Sequence, residues 1–360
     1  MSINDLLNTP PFSLSASEAE NRQLVVLNTL TSHHYANCFE YKRILDVLET
    51  PREASKSLSQ IPFIPIGLFK RIKLLSTPHE NIVKAMTSSG TSGAKRSQIF
   101  LDRENSFLQT KVLGKLMGAT IGNRRRPMLM IEKEPKLDER NTFSASAAGI
   151  KGFSFMASDI QYVMDSQGRY LEKEVAHFLK KHDNKGILIF GFTATIWEFL
   201  INKKGFKRAS FKIQDGILIH GGGWKTLESK RVSKEDYNSK LSEEFGITHI
   251  INYYGMIEQT GSIFLECRAG YFHTTLFSTL LIRNAKNFKI VKPGDVGLIQ
   301  LISVLPHSYP GHSILTEDIG KIHGIDNCDC GQLGIYFEVI GRLKNAEIRG
   351  CSDAYGSISN

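Results

Sequence analysis

Residues Ser88, Ser89, Gly90, Thr91, Ser92, Gly93, Ala94 and Lys95 form a run of small hydroxyl residues and glycines closed by a lysine. Gly90 and Gly93 permit positive φ, so successive backbone N–H groups can turn to one side. The hydroxyls add donors and Lys95 adds a point charge, an inventory suited to a polyphosphate. The run is not a P-loop, because Lys95 stands where that pattern needs its second glycine. Read alone, it is equally a solvated loop.

Two more loops carry candidate chemistry. Gly221, Gly222 and Gly223, followed by Trp224 and Lys225, let a flat ring approach the backbone. Tyr254 and Gly255, with Glu258 three residues on, offer a stacking ring and a carboxylate for magnesium. The plain alternatives are a strand-to-helix turn, a half-buried aromatic and a surface charge. Asp318 reads as a turn carboxylate able to accept from ribose hydroxyls or from local N–H groups. Arg342 comes after the last expected strand, within reach of a phosphate or simply in solvent.

The five cysteines are Cys38, Cys267, Cys328, Cys330 and Cys351. An odd count in a long chain does not suit a disulfide scaffold. Cys267, His273, Cys328 and Cys330 would make a closed tetrahedral zinc site of the structural kind, or else remain ordinary thiols and a surface histidine. Cys351 lies in a small, polar stretch beside Arg349 and near Arg342 and Lys344, cations that favour its thiolate. Cys38 falls in an expected helix and reads as packed.

These residues need a scaffold. The 360 residues are 41% apolar and 22% charged, ordinary for a soluble chain that buries a large core. Residues 1–20 show neither a basic start nor an apolar core, and residues 187–201 are too short to span a bilayer, so no leader or membrane span and a cytoplasmic location are expected. The net charge of +9 suggests an acidic partner: a nucleotide, coenzyme A, an acidic carrier protein or, less favoured without a recognition signature, nucleic acid.

Apolar spacing predicts helices over 24–30 and 41–48, then a connector in which Pro62 and Pro65 forbid regular helix. From residue 86 the pattern alternates. Helices are expected over 104–117, 171–179 and 193–200, and strands over 128–131, 187–190, 217–219 and 247–251. Ser233 is expected to cap a helix that Gly246 stops. This alternation predicts an α/β protein with mostly parallel sheets flanked by helices. Short runs over 276–282, 290–291, 298–304 and 336–340 predict a β-rich sub-domain. The expected division is a helical segment (1–85), an α/β nucleotide-binding region (86–265), the β-rich sub-domain (266–340) and a hinge remnant with a flexible tail (341–360).

Together these loops resemble the adenylate-forming superfamily of acyl- and aryl-CoA ligases, and within it the acyl-protein synthetase (LuxE-type) family. The resemblance spans nearly the whole chain. Ile61, Pro62, Pro65, Phe69 and Lys70 are similar to that family's proline-rich lead-in, residues 87–95 to its phosphate loop, and Asp102-Arg103 to the pair just downstream of that loop. Gly221-Gly222-Gly223-Trp224-Lys225 is the most distinctive string, and Arg349-Gly350-Cys351 resembles the C-terminal end. Tyr254-Gly255 with Glu258 is closer to the wider ligase pattern, whereas the phosphate loop departs from it in lacking a proline before Lys95. The resemblance implies an N-terminal-domain-like ligase fold with a truncated C-terminal domain, since the chain stops nineteen residues after Gly341. It implies ATP and Mg²⁺ as cofactors and a two-step reaction. A carboxylic acid attacks the α-phosphate of ATP, giving acyl-AMP, and a thiol then takes the acyl group. It assigns self-acylation to Cys351, with a reductase, a carrier protein or coenzyme A as further acceptors. A Cys/His cluster of this kind also occurs in phenylacetate-CoA-ligase-like members. An acyl- or aryl-CoA ligase and a non-catalytic nucleotide-binding protein are the alternative readings.

Overall fold

Ser15 and Glu18 start the first long helix. Each side chain accepts from the other's backbone N–H, a capping box that satisfies two of the donors a helix start leaves unpaired. The computed structural model describes residues 2–51, 53–88, 96–135, 142–183, 185–201, 213 and 215–343. They divide into two compact units. The first comprises Met1–Thr120, Asn141–Ala145 and Gly255–Asn360, and the second comprises Ile121–Arg140 and Ser146–Tyr254.

In the first unit, α1 (Ile3–Leu7), α2 (Ala16–Asn37) and α3 (Phe39–Val47) precede β1 (Ile64–Pro65). That strand pairs in parallel with β14 (Ser313–Ile325), Ile64 opposite Ile314. The main sheet runs in the order β11 (Phe272–His273), β15 (Ile335–Arg342), β14, β13 (Val296–Ser303) and β12 (Ser278–Arg283), with every neighbouring pair antiparallel. A smaller sheet sets β2 (Ile82–Thr87) between β3 (Gln98–Asp102) and β5 (Thr142–Ser144). The helix α4 (Arg103–Ile121) comes after β3, and Asp102 accepts from the Asn105 N–H at its start. The short strand β10 (Phe264–Leu265) also belongs to this unit.

The second unit is the expected α/β layer. Its parallel strands run in the order β9 (His249–Tyr254), β8 (Ile217–Gly221), β7 (Leu188–Phe192), β4 (Arg126–Lys133) and β6 (Ala157–Met164). Central strands of a parallel sheet are covered on both faces and read as continuous apolar runs, and all five residues of β8 are buried. The helices are α5 (Ala145–Ser154), α6 (Glu172–Lys181), α7 (Thr193–Ile196) and α8 (Lys234–Phe245). A π-turn over Trp197–Ile201 continues α7, where the sequence predicts plain helix. Ser233 caps α8 by accepting from the Asp236 N–H, and Gly246 ends it at φ 75°. Tyr237, Leu241 and Phe245 fix α8 on a core that also contains Trp197, Phe199 and Leu218.

In the β-rich stretch β12, β13 and β15 fall on expected runs, and residues 290–291 give only a bridge from Ile290 to Arg283. The strand β14 forms where none was expected, a difference that touches the site. Asp318 lies inside β14 rather than in a turn, paired with Arg342, itself the last residue of β15. Gly320, two residues on, lies in the same strand. Gly320 is required because a Cβ would come within 2.7 Å of both the Glu338 carbonyl oxygen and the Ile299 side chain. Close strand approach, not a turn, fixes the residue.

Candidate functional site

In the first unit, β2 and β3 flank the hydroxyl-rich run and bring its ends together. Ser88 donates its N–H to the Ser97 carbonyl at 3.0 Å, and its Oγ accepts from the Ser97 N–H at 3.0 Å. Residues 89–95, including Lys95, lie outside the described residues, as does Cys351.

Glu258 stands near this neck. It sits in a single 3₁₀ turn, Ile257–Gln259, and is only 6% exposed, which excludes the surface-charge alternative. Burial raises its pKa, while the Ser97 hydroxyl, its own backbone N–H and the charges of Lys70 and Arg342 oppose the rise. The turn is anchored by Gln259, whose amide donates to the carbonyls of Gly311 at 2.9 Å and Leu301 at 3.3 Å.

Arg342 is held by strand register. Opposite Asp318 across the β14–β15 ladder, it donates from Nη2 to Glu317 at 2.8 Å, and its Nε lies 4.0 Å from Asp318. Glu317 is buried, with its side chain 4% exposed, whereas the Arg342 side chain is 49% exposed. The pairing fixes a cationic side chain that still faces solvent, beside an acceptor carboxylate. Such a pair can grip a sugar hydroxyl and a phosphate together. Thus one unit gathers the neck of the hydroxyl-rich run, Glu258, Asp318 and Arg342.

The glycine triplet lies in the second unit, at the end of β8. Gly221 must lack a side chain, because a Cβ would fall 2.6 Å from the Tyr253 ring. Gly222 takes φ 78°, and Gly223 has open space where a Cβ would be. Trp224 turns inward, edge-on to Trp197 with ring centroids 5.2 Å apart. The preceding His220 is buried, its Nδ1 2.9 Å from the Thr193 hydroxyl, which also lies 3.2 Å from the Gly221 carbonyl. Burial, with the charge of Lys234 adding to it, lowers the His220 pKa to about 3, so the ring is neutral and structural. Tyr254 ends β9, half-buried.

The ligand atoms of Cys267, His273, Cys328 and Cys330 lie within 4.8 Å of one another in the first unit. Cys267 Sγ is 3.9 Å from Cys328 Sγ, and Cys330 Sγ is 3.3 Å from His273 Nε2. Sulfurs bound to one tetrahedral zinc at ~2.3 Å would stand about 3.8 Å apart, so the spacing fits the ion. Burial opposes ionisation of Cys267, but hydrogen bonds from His273 and the Tyr271 and Ala269 backbone outweigh it and bring its pKa to about 6. Cys330 is pushed up to about 12 by burial and by the neighbouring sulfurs, against a hydrogen bond from Gln332. Without a cation the cluster favours one thiolate and resists more. The His273 ring stacks on Tyr336 at 5.8 Å.

A histidine cluster escaped sequence reading. His33 stacks on His307 at 4.1 Å and His34 on His312 at 4.9 Å. His34 bonds Ser76 Oγ at 2.8 Å and the Pro306 carbonyl at 3.1 Å, tying α2 to the sheet unit's loops. The pairs are 272 or more residues apart in sequence, and no local pattern signals them.

The sequence matches the family described as acyl-protein synthetase, LuxE, over residues 1–358. The chain belongs to the acyl-protein synthetase family. A long-chain-fatty-acid–luciferin-component ligase of Aliivibrio fischeri is 23% identical over 365 residues, covering 97% of this chain and 92% of the relative. The ligase of the same name from Vibrio harveyi is 23% identical over 333 residues, covering 89% and 83%. Among solved structures, 2-hydroxyisobutyryl-CoA ligase in an open conformation superposes with a TM-score of 0.68 at 14% identity, covering 92% of this chain and 76% of that one. This acyl-protein synthetase family member therefore has the fold of the adenylate-forming ligases and is an enzyme of the ligase class. No described helix is long and apolar enough to cross a membrane.

Proposed function

We propose that the protein adenylates a long-chain aliphatic carboxylic acid with ATP and transfers the acyl group to its own Cys351. The observation that carries this reading is the gathering of Glu258, Asp318 and Arg342 beside the neck of the hydroxyl-rich run, in a chain matching the acyl-protein synthetase family from end to end.

In the first step a substrate carboxylate oxygen bonds to the α-phosphorus, the bond to the bridging oxygen breaks, and pyrophosphate leaves. Little proton transfer is needed, so positioning and charge stabilisation supply the rate. The donors of Ser88, Ser89, Gly90, Thr91, Ser92 and Gly93 and the charge of Lys95 hold the phosphates. Arg342, oriented by Glu317, faces the charge that develops on the α-phosphate. Asp318 accepts from the ribose hydroxyls. Within the second unit, Gly221, Gly222 and Gly223 beside Tyr254 leave room for a flat ring, with Trp224 locking the triplet's base. Glu258 is a carboxylate whose burial leaves its charge under-compensated, a fitting ligand for magnesium, which when bound neutralises phosphate charge. In the second step the Cys351 sulfur bonds to the acyl carbon, the acyl–phosphate bond breaks, AMP leaves, and the thiol proton passes to solvent. Cys267, His273, Cys328 and Cys330 would hold a structural zinc that ties β11 to the loop before β15.

Incubation with ATP, Mg²⁺ and a radiolabelled long-chain acid tests the reading. Label should remain on the wild-type chain after denaturation and be released by hydroxylamine. Cys351→Ser should lose the label yet keep acid-dependent pyrophosphate exchange. Label unchanged in Cys351→Ser rejects self-acylation, and a product formed only with coenzyme A favours a CoA ligase.

A further inference from the structure

Arg283 ends β12 and is 7% exposed, yet among the described residues no carboxylate pairs with it. Its Nε donates to Gln300 Oε1, one Nη1 proton to the Phe288 carbonyl at 2.7 Å, and one Nη2 proton to the Ser59 carbonyl at 3.2 Å. All three acceptors are neutral, and two of its five N–H groups have no protein acceptor among the described residues. The guanidinium lies 4.6 Å from the Phe63 ring centroid. Arginine stays charged even where burial disfavours it, and a buried charge without a counter-charge is unfavourable.

Arg283 lines a cavity of about 740 Å³ within the first unit, as do Phe63 and Ser59, which its guanidinium touches. Its walls come from α3 and the proline-rich connector, with Ile44, Leu48, Ile61, Phe63 and Leu68 supplying apolar surface. The volume falls in the ~300–1,000 Å³ range of small-molecule sites. Leu48, 55% exposed, and Val47, 80% exposed, place apolar groups at the rim. Three arginines and a single acidic residue, Glu40, contribute to the lining, and Glu40 already receives the Cys38 thiol at 3.8 Å. An apolar chamber with an under-neutralised buried cation in its wall matches one chemistry: a hydrocarbon chain ending in an anion.

We propose that this cavity is a second binding site, apart from the residues assigned to adenylation, for a straight-chain aliphatic carboxylate. The hydrocarbon lies between α3 and the connector, and the carboxylate pairs with Arg283. Choosing a carboxylate over another anionic amphiphile rests on the ligase reading above; the apolar chamber and its cation stand on geometry alone. Such a site holds substrate-class acid on the enzyme without exposing it to chemistry.

The test uses the full-length protein and dodecanoate carrying a terminal diazirine, with adducts mapped after irradiation. Adducts should fall within residues 40–72 and be competed by dodecanoate but about tenfold more weakly by dodecanol, which lacks the charge. Leu68→Trp should weaken these adducts by narrowing the chamber, and Arg283→Gln should weaken labelling about tenfold. Should Arg283→Gln fail to fold, Leu68→Trp decides. Adducts confined elsewhere, or adducts within 40–72 that are undiminished in folded Leu68→Trp, overturn the proposal. Pyrophosphate exchange on the same preparations separates the two readings. Adducts without exchange overturn the ligase mechanism and leave the cavity site standing; exchange without adducts overturns the cavity site alone.

Discussion

Arg342 shows how a single residue is readied for work by its neighbours. A buried carboxylate, Glu317, fixes one end of its guanidinium, and the strand ladder sets Asp318 beside it. Arg342→Gln removes the charge and keeps much of the shape. Exchange catalysis should fall about 10²-fold, as expected for a group acting on developing charge, and the thermal midpoint should drop as well because the buried Glu317 loses its counter-charge. The thiolate cluster makes a separate prediction. Purified protein should contain about one zinc per chain, and Cys330→Ser or a strong chelator should remove it and lower the thermal midpoint. A metal-free protein indifferent to chelator would contradict this.

Buried histidines predict the pH response. His220 in one unit and His312 in the other are both lowered to about 3, chiefly by burial, with like charges of Lys234 and His33 adding to it. A folded pKa below the unfolded value means that the unfolded chain binds the extra proton. Stability is then full above about pH 6.5 and is lost as pH falls toward 3. Each should remove about 2 kcal/mol between pH 6.5 and 5, read by denaturant titration across that range. The residue scale also marks where sequence reading stops. Cys267, His273, Cys328 and Cys330 announced themselves by type and were brought together. Nothing local could announce Arg283 or the histidine stacks, because their character comes from partners far along the chain.

At the scale of elements, local chemistry was the reliable guide. Ser233 and Gly246 bound α8 because a cap and a positive-φ stop are decided within a few residues. The strand β8 was legible as an apolar run because a central parallel strand is covered on both faces. The segment around Asp318 was not, since a glycine demanded by close strand packing carries the same signature as a turn glycine. Gly320→Ala tests that explanation. Its Cβ would meet the Glu338 backbone and Ile299, so β14 must shift. The cost should be about 1–3 kcal/mol in denaturant unfolding, with exchange activity falling as the Asp318–Arg342 register is disturbed.

On the scale of the whole molecule, the α/β layer and the antiparallel sheet are set by periodicity, but the way the chain returns is not. β1 pairs with β14, 250 residues later, and no local pattern encodes such a pairing. The acyl-protein synthetase family match accounts for the ligase class, and in the proposed reading the gathered carboxylates, arginine and loop neck carry adenylation. Acid-dependent exchange of radiolabelled pyrophosphate into ATP tests that claim most directly, across fatty, aromatic and small carboxylic acids with Mg²⁺ present. The account predicts exchange that requires a carboxylic acid, is strongest with long aliphatic chains, and survives Cys351→Ser. Folded protein that supports no exchange with any acid of the panel would contradict it.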